Sequence, residues 1–168
     1  MKYFIFIIIL LFLRFTSFAY ANNDIVFIDM NYVLSNSIQG KLILNELEKK
    51  NESNLSILES REKLLKELEN DINKQKNIIS DAELKKKIDN LKNKITLFKK
   101  EKKELVKEFN NLKNIEITKI MEKINPLVSD YVKENSISIV LDKKNVIIGK
   151  KNHDITLEIL ELVNANIK

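Results

Sequence analysis

Apolar residues recur at spacings of three and four through Leu44, Leu47, Leu58, Leu65, Leu68, Ile72 and Ile79, with Asn51, Asn54, Arg61 and Gln75 as polar interruptions of the same register. A second register runs through Leu84, Ile88, Leu91, Ile95, Phe98, Lys102, Leu105, Phe109 and Leu112. Sustained heptads of this kind predict coiled-coil helices. Between them, Ser80-Asp81-Ala82-Glu83 has the form of a capping box, in which a serine caps a new helix and a glutamate reaches back to it. The turn therefore falls near residue 80, and the two helices fold back as an αα-hairpin. The 85 residues between Gly40 and Pro126 contain no glycine or proline, so neither of the strongest breakers interrupts the arms.

Reflection about the turn pairs Ile72 with Leu91, Leu68 with Ile95, Leu65 with Phe98 and Leu58 with Leu105. The same register sets Asn51 and Asn54 opposite Leu112 and Phe109, and Arg61 opposite Lys102. Two facing cations predict either a point of flexure or two long side chains snorkelling to solvent, and the asparagines are expected to lean out to water or distort the seam.

The sequence on either side of the hairpin reads differently. Residues 25–30, Ile-Val-Phe-Ile-Asp-Met, form a short apolar run suited to a strand buried on both faces. A short helical or turn segment follows at 31–38. Beyond Leu112 the apolar face widens through Ile115, Ile120, Ile124, Val128 and Tyr131, which needs more than one neighbour, and Pro126 is expected to kink the helix. Ile137, Ile139 and Leu141 alternate as a strand, and residues 142–145 suggest a turn into Val146, Ile147 and Ile148, with Gly149 closing a β-hairpin. Asp154 has the position of an N-cap for a last amphipathic helix.

The predicted class is α+β, mostly α: a long coiled-coil hairpin, residues 41–119, projecting from a small strand-bearing body made of residues 22–40 and 120–168. That body is about 65 residues, near the size at which a lone domain is marginal. Three short strands would also leave two exposed edges. Self-association through Ile25, Phe27, Ile137, Ile139, Leu141, Val146 and Ile148 would answer both problems, without fixing the number of subunits.

The beginning of the chain changes where this protein is expected to work. Lys2, the apolar run of residues 4–13 and Ala19-Tyr20-Ala21 have the three parts of a secretory signal peptide, with cleavage after Ala21 and recognition of Ala19 and Ala21. The apolar run is shorter than the roughly 20 residues of a spanning helix. Cleavage would remove Lys2 and Arg14, leaving 29 − 2 = 27 basic against 24 acidic residues, a net charge of +3. With no cysteine in the chain, disulfides contribute nothing to its stability.

Catalytic constellations are absent from the sequence: His153 is the only histidine, and there is no cysteine nucleophile, glycine-rich phosphate loop or metal-ligand spacing. No cofactor is expected. Charge placement is more informative. Residues 72–107 hold 12 lysines against 5 acids, whereas residues 38–71 hold 6 basic and 8 acidic residues. The distal lysines Lys85, Lys86, Lys87, Lys92, Lys94, Lys99 and Lys100 are candidates for contact with acidic segments or an anionic membrane surface, the alternative being a solubilising surface of a lysine-rich protein. Export argues against nucleic acid.

The strand motif of residues 25–30 after a signal peptide, the heptad hairpin, Ile137 to Asp142 as ISIVLD and the Asp154-Ile155-Thr156 ending together resemble the Skp/OmpH family of periplasmic chaperones. The resemblance covers nearly all of the exported chain. It implies a homotrimer whose strands complete a small barrel, with three hairpins around a cavity. It also implies an ATP-independent holdase that keeps unfolded outer-membrane β-barrel proteins from aggregating before insertion, and a basic region in contact with lipopolysaccharide that cannot be matched lysine by lysine here. Asn51, Asn54 and Gln75 thin the seam relative to that pattern. A secretion adaptor would share the hairpin but needs a larger, glycine-rich β-domain, and a purely structural coiled coil of the envelope would need neither terminal strands nor basic tip.

Overall fold

The computed structural model describes residues 24–167. The segment predicted as a signal peptide, with Ala19 and Ala21, lies outside them. Strand β1 (Asp24–Ile28) leads into a short helix α1 (Met30–Asn36), then α2 (Ile38–Gln75), α3 (Asp81–Glu134), strand β2 (Ile137–Asp142) and the final helix α4 (Thr156–Asn166). Two 3₁₀ turns, Lys143–Asn145 and Lys151–His153, lie between β2 and α4.

Helices α2 and α3 form the predicted antiparallel arm. Ser80 caps α3 with its hydroxyl accepting the Glu83 amide at 3.3 Å, and Asp81 and Glu83 place negative charge in the first turn, where the helix dipole favours it. The chain reverses through residues 76–79. At the other end of the arm, Ser37 is fully buried and its hydroxyl accepts the Gly40 amide, starting α2 directly after α1. Pro126 lies inside α3, which continues unbroken to Glu134. Ser136, with φ of 54°, makes the left-handed step from that helix into β2.

β1 and β2 pair in parallel, with Ile25 beside Ile139, Val26 beside Val140 and Phe27 beside Leu141. Parallel partners need a crossover, and here the whole helical arm supplies it. Because strand side chains alternate, Val26 and Ile28 face one way into the core, joined by Val33 of α1, Ile120 and Ile124 of α3, and Ile155, Ile159, Val163 and Ile167 at the C-terminal end. The widened apolar stripe of α3 is explained by this cluster: the helix root meets the sheet and α4 together.

The expected β-hairpin does not form. After β2 the chain enters the Lys143–Asn145 turn, so Val146 and Ile148 lie in no strand, and Ile147 and Ile148 are almost wholly exposed. The sheet of the described residues therefore has two strands rather than three. The reason is visible at Gly149, which returns across the outer side of β1 and covers Phe27 instead of pairing with β2. α4 also starts one step later than expected. Asp154 Oδ1 accepts the Thr156 amide at 3.1 Å and also accepts the Thr156 hydroxyl proton, forming a side-chain turn ahead of the helix.

Candidate functional site

What the fold exposes is an arm with an open seam and a sheet with an apolar outer face. A two-helix hairpin has no third layer to cover it, and its residues show this: along α2, only Gly40, Leu47 and Asn54 are buried. Distal seam residues Leu65, Ile72, Leu91, Ile95 and Phe98 remain half-buried.

The predicted register is recovered in the side chains. Ile72 and Leu91 line a common hollow with Leu68 and Lys94, and Leu65 and Phe98 line the next one with Arg61 and Glu101. Arg61, however, finds an anion: its Nε lies 3.9 Å from a Glu101 carboxylate oxygen, and Lys102 points to solvent. The expected pair of facing cations is thus replaced by an exposed ion pair, worth about 0–1 kcal/mol. Asn54 also departs from expectation. It is 6% exposed, within the seam, and its Oδ1 accepts no hydrogen bond.

Six of the seven candidate lysines are exposed, and Lys87 is half-buried. Lys87, Lys92 and Lys100 make weak ion pairs with Glu83, Asp89 and Glu104 on their own helix, and Lys87 also donates to the Gln75 side chain across the seam. Lys85, Lys86, Lys94 and Lys99 make no ion pair among the described residues. These four keep their charge available along the distal arm.

Sequence periodicity identified the seam but overlooked the apolar residues beside it. Leu64 and Leu97 are 53% and 66% exposed and line one edge of the distal seam. Leu55 and Val106 flank the seam nearer the body. Their signal was present in the sequence as leucine and valine one place off the heptad.

In the body, the outer face of the sheet carries Ile25 and Ile139 side by side, each 48% exposed, with Leu141 further along. Phe27 on the same face is covered by Gly149, and the Lys143 ammonium lies 6.0 Å from its ring centroid. The predicted strand residues are therefore gathered on one face except Ile137, whose side chain packs against the core, and Val146 and Ile148, which stand outside the sheet.

The Asp154-Ile155-Thr156 motif fastens this body. Thr156 Oγ1 accepts the Asp29 amide at 2.9 Å, the Ile155 amide donates to the Phe27 carbonyl at 3.0 Å, and His153 Nδ1 donates to the Ile25 carbonyl at 2.8 Å. His153 is thus a clip on the far edge of β1. The Lys143 ammonium lies 2.7 Å from Asp154 Oδ2. Burial pushes the Asp154 carboxyl up, but the Lys143 and Thr156 hydrogen bonds outweigh it and hold the group below the usual aspartate range. The same bond to Asp154 raises Lys143. Among the described residues, no group of histidine and carboxylate side chains could hold a metal ion, and no helix is long and apolar enough to cross a membrane.

Comparison with known proteins agrees with this architecture. The sequence profile of the family described as "Outer membrane protein (OmpH-like)" matches residues 24–163. A crystal structure of a candidate outer membrane chaperone (OmpH-like) from Caulobacter crescentus CB15 superposes with a TM-score of 0.74 at 16% identity, covering 86% of each chain. At that identity the likeness shows the fold. No curated protein matches the chain in sequence.

Proposed function

From the premise that this chain belongs to the OmpH-like outer membrane protein family, we propose that it is an ATP-independent holdase of the periplasm. It binds unfolded outer-membrane β-barrel proteins between its arms and prevents their aggregation before insertion. The observation that carries this reading is the open seam: a long arm whose apolar residues are half-exposed throughout its distal half and interleaved with lysines, of which Lys85, Lys86, Lys94 and Lys99 make no ion pair among the described residues. Such a surface offers many weak contacts. Each partly exposed leucine contributes only a fraction of the roughly 1.5–3 kcal/mol of full burial, so a client is held collectively and can still leave.

The working unit in this reading is a homotrimer closed through the outer face and β2 edge of the sheet. Exposed Ile25, Ile139 and Leu141 supply the apolar surface, and Ile147 and Ile148 are free to join the contact. Three arms would then surround one cavity. Basic residues along the distal arm attract acidic client segments or anionic lipid head groups, lipopolysaccharide among them.

The test mixes the mature protein with an unfolded outer-membrane β-barrel protein diluted from denaturant. Light scattering is followed, with sedimentation on the same samples. Suppressed aggregation by a species of three-chain mass is expected without nucleotide. Unchanged scattering would exclude the holdase, and a monomeric sedimentation coefficient would exclude the trimer.

A further inference from the structure

The two distal hollows of the arm share Leu68 and Lys94 and so form one groove, with volumes of about 300 and 180 Å³. The Arg61–Glu101 ion pair closes its end toward the body, and Gln75 and Lys87 close its end toward the turn. Leu64, Leu68 and Ile72 recur every four residues along α2, a rise of about 6 Å each. Leu97 and Phe98 stand across from them. Same-face side chains of an extended strand recur at about 6.6 Å, so the two rows nearly match. From Arg61 to Gln75 the groove is about 21 Å long, the span of roughly six extended residues.

We infer that this groove holds a single extended segment of an unfolded client, with its apolar side chains along Leu64, Leu68 and Leu97 and an acidic side chain against Lys94. The inference rests on the holdase reading and assigns its contact to one edge of the arm. Lys94 is the cation at the junction of the two hollows, and it makes no ion pair among the described residues. A segment alternating apolar and polar residues, as membrane β-strands do, presents one apolar row to the groove and its polar row to water. A second copy of the arm fits less well, because Asp71, Lys87, Lys94 and Glu101 along this edge would have to be desolvated for the sake of the three leucines Leu64, Leu68 and Leu97. The edge across the seam differs at this level: Glu62, Glu69, Lys92 and Lys99 occupy the equivalent flanking positions.

The experiment places a photoreactive side chain at position 64 or 97 of the otherwise intact mature protein, with position 62 as the opposite-edge control. The probe is an unfolded outer-membrane β-barrel protein, in wild-type form and with its acidic residues changed to amides. Adducts with the client from 64 and 97 but not from 62 are expected. Leu64→Glu with Leu97→Glu should weaken client binding about tenfold or more, with circular dichroism and sedimentation unchanged. Lys94→Gln should weaken binding of the wild-type client and leave the amide form unaffected. Equal adducts from 62, or adducts joining two copies of the arm, overturn the groove while leaving aggregation suppression intact. Loss of aggregation suppression in the unsubstituted protein overturns the holdase reading itself. Should the double variant misfold, the adduct pattern from the single-site proteins decides alone.

Discussion

Gly149 packs against the Phe27 ring so closely that a β-carbon on it would overlap Cε1 and come within 3.0 Å of Cζ. Phe27 is the one outer-face side chain of β1 that is buried, and the glycine is the reason the returning chain can lie on it.

Gly149→Ala should therefore cost about 1–3 kcal/mol, the usual penalty for forcing an extra carbon into a packed site. Urea unfolding measures it, and Gly149→Ala combined with Phe27→Leu should recover part of the loss. An unchanged midpoint for Gly149→Ala would mean that the 143–149 segment does not clamp the strand.

The Lys143–Asp154 bond gives stability a defined pH window. Asp154 is depressed in the folded chain, so its contribution is present above the ordinary aspartate value of about 3.8 and is lost as pH falls through the lower folded value. Lys143 is raised, so its contribution is present below about 10.5 and is lost as pH climbs through the folded value. Thermal unfolding across pH should show a plateau between these limits. Asp154→Asn should lower the plateau and flatten the acid limb, and an acid limb identical to wild type would assign acid unfolding to other carboxylates.

The arm was legible in the sequence because heptad spacing and a serine cap act locally. Leu65, Phe98, Ile72 and Leu91 meet as the register requires, and Ser80 sits at the helix start. The body was less legible because its decisions are made by distant partners. Val146, Ile147 and Ile148 have strong strand propensity, yet covering Phe27 some 120 residues earlier competes with pairing to β2. Arg61 reads as a clash with Lys102 only until side-chain reach is considered: Glu101, one place away, is close enough to take the charge. The exposed flank of Leu64 and Leu97 was missed because a heptad scan asks which residues meet the partner helix, and these meet solvent.

Asn54 offers a substitution expected to stabilise. Its Oδ1 is buried without a donor, a condition that costs about 1–3 kcal/mol, while leucine fits the apolar surroundings of Leu58, Leu105 and Phe109. Asn54→Leu should raise stability by about 1–2 kcal/mol after some loss to overpacking. Hydrogen exchange should slow for amides around residues 50–58. If the holdase depends on a compliant arm, the same variant should also protect a narrower range of client sizes; stability unchanged within error would show that Asn54 is satisfied in solution.

Gly40 sets two known effects against each other. Within a helix, glycine is about 1 kcal/mol less favourable than alanine, so propensity alone predicts that Gly40→Ala stabilises. Yet a β-carbon at this position would overlap the Leu34 backbone carbonyl and approach the Ser37 hydroxyl to 2.6 Å. Backbone cannot swing aside as a side chain does, so relief requires moving α1 away from the start of α2, disturbing the Ser37 cap and the bond from the Ile38 amide to Asn164 Oδ1 at 2.8 Å. The steric cost, about 1–3 kcal/mol for overpacking plus about 1 kcal/mol for a lost cap, exceeds the propensity gain. Gly40→Ala should lower the melting temperature and raise exchange at the Gly40 and Ile38 amides, while Ser53→Ala on the exposed middle of α2 should do neither. A rise in melting temperature for Gly40→Ala would mean that α1 and α2 are not held at the close approach seen here.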